Sequence, residues 1–377
     1  MSLPFIYDID AAVAVAAFFS EFYYTTIKNI YVYIMTTTRK PKVVVFDVDE
    51  TLGNFVQFGI FCATIDEYYK TDISYKYFND LVEIFPEIYR PNIVRILDYI
   101  RKKKESGRCS KVMIYTNNQG PDKWVQHIRD YLEMKLREKT LAATGKTVSP
   151  QSLAIIPPLF DHIIGGFKPR SSVGGGANIP ASRYPERTTG EKTVNEFLRC
   201  SRLPPDIEIC FLDDVLHEQM INGKVYYIKL QGYHSYLPFE HYVLRFLASK
   251  LYKNVFESMT PNIPKQVVTI ELQNLLIKRA NQAQYDARKH HTKMNPREID
   301  EIISKYILYH LQQFFKDGPP VLPASNGRHK HASTTSRRGS KRMKKNNTDA
   351  NHNNDNVFYV DKASAVKTMK NKTIKNR

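Results

Sequence analysis

Apolar positions along this chain fall into short unbroken runs separated by stripes of helical spacing. In Lys42–Leu52, KVVVFDVDETL, the four β-forming residues Val43 to Phe46 precede two aspartates one residue apart. Such a run predicts a strand buried on both faces, as in a parallel sheet covered by helices. The pattern returns in Lys111–Gly120 (KVMIYTNNQG), the shorter Phe160–Gly165, Ile207–Asp214 (IEICFLDD) and Val225–Leu230 (VYYIKL). Helical stripes lie between them. Ile93, Ile96, Leu97 and Ile100 repeat within Arg90–Lys104, where Pro91 suits a first turn; Trp124, Val125, Ile128, Tyr131 and Leu132 repeat within Pro121–Glu138; Thr193–Cys200 makes a third. Strand alternating with helix predicts an α/β protein with a doubly wound, Rossmann-like parallel sheet.

The remaining stretches set the boundaries. Residues 1–39 read as an N-terminal extension, 40–250 as the α/β domain, 251–317 as a C-terminal helical appendage and 318–377 as a disordered basic tail. Within the extension, Glu21 and Lys28 interrupt the apolar stretches Ala11–Ser20 and Asn29–Met35. No run reaches the roughly 20 apolar residues of a membrane helix, so no membrane association is expected. The polar TTTRKPK after Met35 leaves both Met1 and Met35 open as the start. Gly53–Tyr69 reads as a flap over the first strand end, and 139–190, with its Gly174–Gly176 run, as a long irregular insert. In the appendage, Ile299, Ile303, Tyr306, Ile307 and Leu311 keep helical spacing, for packing on a sheet edge or against a partner.

Charge changes the picture at one end only. Of the net charge of +17, the last 60 residues supply +11, from 14 Lys/Arg against 3 Asp. The cluster Arg337–Lys345 (RRGSKRMKK) suits nuclear import, a nucleic acid or another acidic partner. Aromatic interleaving, which stacking on single strands needs, is confined there to Phe358 and Tyr359. Hydrophobic residues make up 42% of the chain, enough for a sizeable core. Cys62, Cys109, Cys200 and Cys210 show neither paired nor metal-ligand spacing, and no secretory signal is visible, so a reducing intracellular compartment, cytoplasmic or nuclear, is expected.

Chemistry concentrates where apolar runs stop. Asp47 and Asp49 end the first, Thr116 the second, and Asp213 and Asp214 the fourth. Open α/β sheets place their sites at these carboxyl ends. Paired carboxylates there need a cation or a shared proton, which suits phosphoryl transfer by a nucleophilic aspartate beside a metal. Phe5–Asp10 (FIYDID) repeats the Asp-x-Asp spacing, but Ala11 and Ala12 follow it, and no chemistry is assigned to it.

The apolar run followed by Asp-x-Asp-x-Thr, with the threonine and Asp-Asp strand ends behind it in order, resembles the haloacid dehalogenase superfamily. Over about residues 40–250, the Asp-x-Asp-Glu-Thr-Leu motif, RPNIVRILDYI before KVMIYT, and LFDHII before Lys192 resemble its branch of small phosphatases acting on phosphoserine in protein tails. The resemblance implies a HAD-like fold without a large cap and a phosphoprotein substrate. It makes Asp47 the nucleophile and Asp49 the general acid and then base. Mg2+ would be held by Asp47, the main-chain carbonyl of Asp49, and Asp213 or Asp214. Thr116 and the amide of Asn117 would bind the phosphoryl oxygens, and a lysine would balance the charge. Lys192, opening the helix before the Asp-Asp strand, is favoured over Lys168 in GGFKPR. Two features depart from that branch: DDVL follows the Asp-Asp strand, and the insert is long. TNNQG is similar instead to polynucleotide 3′-phosphatases, the enzymatic alternative. A catalytically silent scaffold binding RNA or protein is the third reading.

Overall fold

The structure, a computed structural model, describes residues 40–120, 123–143, 145, 149–168, 185–316 and 356–367. The extension with both candidate starts and the FIYDID repeat, the Gly174–Gly176 run and the cluster Arg337–Lys345 lie outside these residues.

Six strands form one sheet: β1 (Lys42–Phe46), β2 (Lys111–Tyr115), β3 (His162–Ile164), β4 (Glu208–Asp213), β5 (Val225–Leu230) and β6 (Val357–Val360). All pairings are parallel, in the order β3-β2-β1-β4-β5-β6. The chain runs outward from β1 to β3, crosses back, and runs outward again from β4 to β6. The order therefore reverses between β1 and β4, and a crevice opens at their carboxyl ends. This is a Rossmann-like arrangement.

The unbroken apolar runs follow from burial on both faces. Val44, Phe46, Ile114 and Leu212 enter one core, and Val43, Val45, Tyr115, Phe211 and Tyr227 enter the other. The first core takes most of the helices: α1 (Val56–Tyr69), α2 (Ile73–Lys76), α3 (Phe78–Ile84), α4 (Ile93–Glu105) and α5 (Trp124–Ala143), then, after α6 (Pro150–Ile155) and α7 (Val194–Ser201), α8 (Phe239–Ala248) and α9 (Lys265–Gln282), and, after α10 (Ala287–Lys293), α11 (Arg297–Phe314). Helix α7 supplies Val194, Phe197 and Cys200 to the second core.

Two expectations are corrected. Gly53–Tyr69 is not a flap. Gly53 bridges Asp49 and Tyr89, and from Val56 the chain is helical. Phe58, Phe61, Cys62 and Ile65 form an i, i+3, i+4, i+7 stripe that buries α1 in the core. The segment 318–377 is not without structure throughout either. Val357–Val360 (VFYV) is a run of β-formers that pairs with the free edge of β5, and Val360 and Ala365 are buried.

The helices of 251–317 are present, and their inner residues Leu272, Leu276, Ile303, Ile307 and Leu311 share the first core. Helix α9 packs on α1, and α11 packs on α4, β5 and β6. Among the described residues, no helix is long and apolar enough to cross a membrane.

Candidate active site

Strand ends bring the separated acidic residues together. The Asp47 N–H donates to the Leu212 carbonyl at 2.9 Å, carrying the β1–β4 ladder one residue past the strand. The chain then turns sharply. Glu50 takes φ +57°, its N–H donates to the Gly53 carbonyl at 2.7 Å, and Leu52 N–H donates to the Val48 carbonyl at 2.9 Å. A non-glycine residue in the left-handed region persists only where its surroundings hold it. Arg90 does so, donating from Nη2 to the Glu50 carbonyl at 2.6 Å and from Nε to the Thr51 carbonyl at 2.7 Å, while Tyr233 N–H donates to the Glu50 carbonyl at 2.8 Å.

One lysine joins the two strand ends. Thr193 caps α7, its hydroxyl oxygen accepting from the Glu196 N–H at 3.0 Å, and this places Lys192 at the mouth of the crevice. Lys192 Nζ donates to Asp47 Oδ1 and to Asp213 Oδ2, both at 2.7 Å, and is only 3% exposed. Burial works against its charge, but Asp47 and Asp213 outweigh burial and raise its pKa. The lysine in this position is Lys192; Lys168 is exposed, in the loop after β3.

The other carboxylates differ in surroundings. Burial, helped by Asp213 and opposed by Lys192, raises Asp47. Burial pushes Asp49 up to about 6 even though Asn118 Nδ2 donates to its Oδ2 at 2.6 Å. Asp49 Oδ1 is buried without a hydrogen-bond partner. Asp213 is held low: burial would raise it, but His217, at 3.4 Å, and Lys192 prevail. Its Oδ1 accepts from the Val215 N–H at 2.7 Å. Asp214 is pushed up to about 7, first by burial and then by Asp213 and Asp47, and its Oδ1 accepts from the Thr51 hydroxyl at 3.3 Å.

Asp47, Asp213 and Asp214 each offer a carboxylate oxygen, and these oxygens lie within 4.8 Å of one another. An all-oxygen donor set with excess negative charge fits a hard divalent cation. Both Asp213 and Asp214 belong to the set, although the sequence left the choice between them open.

The threonine strand end lies alongside. Thr116 is buried, and its hydroxyl oxygen accepts from the Asn118 N–H at 3.1 Å. The Asn117 side chain is held instead by Arg187, whose Nη1 donates to Asn117 Oδ1 at 2.6 Å and to the Thr116 carbonyl at 3.1 Å. Arg187 Nη2 donates to the Glu191 carbonyl at 2.9 Å, so one guanidinium ties the threonine loop to the lysine loop. Gly166 completes this wall: a Cβ there would lie 2.6 Å from the Asn118 carbonyl oxygen.

Sequence reasoning missed Asn118, Arg187 and His217. The doubled asparagine of TNNQG was a visible signal for the first; Arg187 lies in the irregular insert and His217 in a loop, where no periodicity marks them. Beside Asp49 and Asn118 a cleft of 1120 Å³ runs along α1, walled by Val56, Ile60 and Trp124. No protein-family model, no curated protein and no solved structure matches this chain.

Proposed function

We propose that this chain is a Mg2+-dependent phosphomonoester hydrolase of the haloacid dehalogenase type that works through an aspartyl-phosphate, with phosphoprotein as its substrate. The observation that carries the reading is Lys192 fixed between Asp47 and Asp213 while Asp49, turned toward the cleft, is held by Asn118. A buried lysine spanning two strand ends orients a carboxylate for attack and leaves positive charge where a phosphoryl group would arrive.

In this reading an Asp47 carboxylate oxygen attacks phosphorus, and the bond to the leaving oxygen breaks. That oxygen takes its proton from Asp49, whose pKa near 6 keeps a protonated fraction available close to neutrality. Asp49, now ionised, takes a proton from water, which attacks the phosphorus of the acyl phosphate and frees Asp47. Thr116 donates its hydroxyl hydrogen to a phosphoryl oxygen, and Lys192 balances charge on Asp47 as it turns from carboxylate to acyl phosphate. Arg187 holds the Thr116 and Lys192 loops in register. Mg2+, held by Asp47, Asp213 and Asp214, would neutralise charge on the transferring group when bound.

The test compares an aryl phosphate, a phosphoserine peptide and a 3′-phosphorylated oligonucleotide, with and without Mg2+, for the wild type and Asp47→Asn. Metal-dependent release of phosphate, fastest from the peptide and reduced to background in Asp47→Asn, is expected. Preference for the oligonucleotide would move the assignment to polynucleotide ends. Failure to bind Mg2+ and turn over any of the three would leave a binding scaffold.

A further inference from the structure

The cleft beside Asp49 has a wall that the hydrolytic steps leave unused. Helix α1 buries Phe58, Phe61, Cys62 and Ile65, and its opposite face, with Val56, Gly59, Ile60, Ala63 and Glu67, lines this cleft. From Val56 to Lys70 that face runs about 20 Å at a rise of about 1.5 Å per residue, the span of about six extended residues. Gly59 and Ala63 leave its middle with little side chain. The end next to Asp49 is apolar: Val56 is 45% exposed, and Ile60 and Trp124 line the same stretch.

Trp124 brings a polar group to that end. It is the one tryptophan of the chain and is 5% exposed. A Cβ on Gly120 would lie 3.3 Å from its Cδ1, and a Cβ on Gly59 would lie 3.3 Å from its Cζ2. The ring edge that carries Nε1 joins those two atoms, so it faces the cleft between two glycines that line it. Among the described residues none accepts from Nε1, and the atom stays open to the cleft. A tryptophan N–H this deep ordinarily finds an acceptor. Asn118 does not supply one: its Oδ1 accepts from the Gly120 N–H at 2.8 Å, and its Nδ2 is spent on Asp49.

We propose that this groove is a peptide subsite that selects phosphoserine flanked by a large aliphatic residue. The aliphatic side chain packs on Val56 and Ile60, and a main-chain carbonyl of the bound peptide accepts from Trp124 Nε1. In peptide recognition, main-chain hydrogen bonds supply affinity and side-chain pockets supply selectivity. Asp49 protonates the leaving oxygen, so a groove that starts at Asp49 lies on the leaving-group side, where the rest of a phosphoserine peptide must run. The subsite rests on the phosphoprotein reading and gives it a sequence preference.

The test uses heptapeptides with a central phosphoserine, alanine elsewhere, and leucine placed in turn at each of the two positions on either side. Trp124 emission of the full chain carrying Asp47→Asn, with Mg2+ present, reports binding, because the peptides contain no tryptophan. Phosphate release by the wild type reports turnover. At least one leucine peptide should bind about tenfold more tightly than the alanine peptide and show about tenfold higher kcat/KM, as filling an apolar pocket allows. Val56→Asp, at an exposed position, should erase both preferences. Trp124→Phe, which keeps a ring and removes the N–H, should raise KM for the leucine peptide more than it lowers kcat. Unchanged emission with every peptide at millimolar concentration would overturn the subsite. So would equal affinity and turnover across the series, or a leucine preference that survives Val56→Asp. A leucine-selective emission change without phosphate release from any peptide would uphold the groove and defeat the hydrolase reading instead.

Discussion

At the residue scale the site depends on a charge balance that Lys192 centres. Two carboxylates, Asp47 and Asp213, face one ammonium in a nearly dry crevice, with Asp214 beside them. Removing one partner of a buried ion pair leaves uncompensated charge and costs about 3–5 kcal/mol. Lys192→Met is therefore expected to lose activity and to lower the free energy of urea unfolding at neutral pH by that order. Unchanged unfolding would show that the lysine does not carry the balance described. The acidic strand ends and Lys192 were legible in the sequence because each follows or precedes an element with a clear period. The partners of Asn118 and Arg187 were not: TNNQG marks the first residue, but both act through hydrogen bonds across 69 and 70 residues of sequence, to Asp49 and Asn117, and no local pattern encodes such contacts.

At the element scale, the strands and long helices were readable from hydrophobic spacing, and the parallel sheet followed from their alternation. Strand β6 was hidden because its four residues sit in a stretch whose composition is otherwise polar and basic. The apolar stripe of α1 was obscured by the glycine and the aromatic residues around Gly53. Once β6 is placed, His310 acquires a role: its Nδ1 lies 3.1 Å from the Tyr226 hydroxyl, and its ring centroid lies 5.1 Å from that of Phe358, between α11 and the last two strands. Burial lowers its pKa from 6.5 to about 4. The folded chain therefore keeps His310 neutral at pH values where the unfolded chain takes up a proton. Its contribution is fully present above about pH 6.5 and is lost progressively as the pH falls toward 4. Melting temperatures across that window should fall less steeply for His310→Gln than for the wild type. Parallel curves would remove the histidine from the account.

At the scale of the whole molecule, positive charge and the acidic strand ends are separated along the chain. The acidic crevice lies at the centre of the sheet, and most of the excess charge lies beyond Gly318. Six cations in Arg337–Lys345 should retain single-stranded nucleic acid at low salt, with log affinity falling against log salt by about 0.7 per phosphate neutralised. Replacing all six with glutamine should flatten that slope and leave aryl phosphate turnover unchanged, measured by filter binding and phosphate release on the same preparations. A slope that stays the same would place nucleic-acid contact elsewhere on the surface.

The most direct measurement is acid quenching of the chain during turnover of a phosphorylated substrate with Mg2+ present, followed by mapping of any acyl phosphate by borohydride reduction and mass spectrometry. Modification at Asp47 alone is expected, absent from Asp47→Asn and accumulating in Asp49→Asn, which slows hydrolysis of the intermediate. Steady turnover with Asp47 unmodified at every quench time, and Asp49→Asn failing to trap it, would contradict the nucleophilic role on which the account rests.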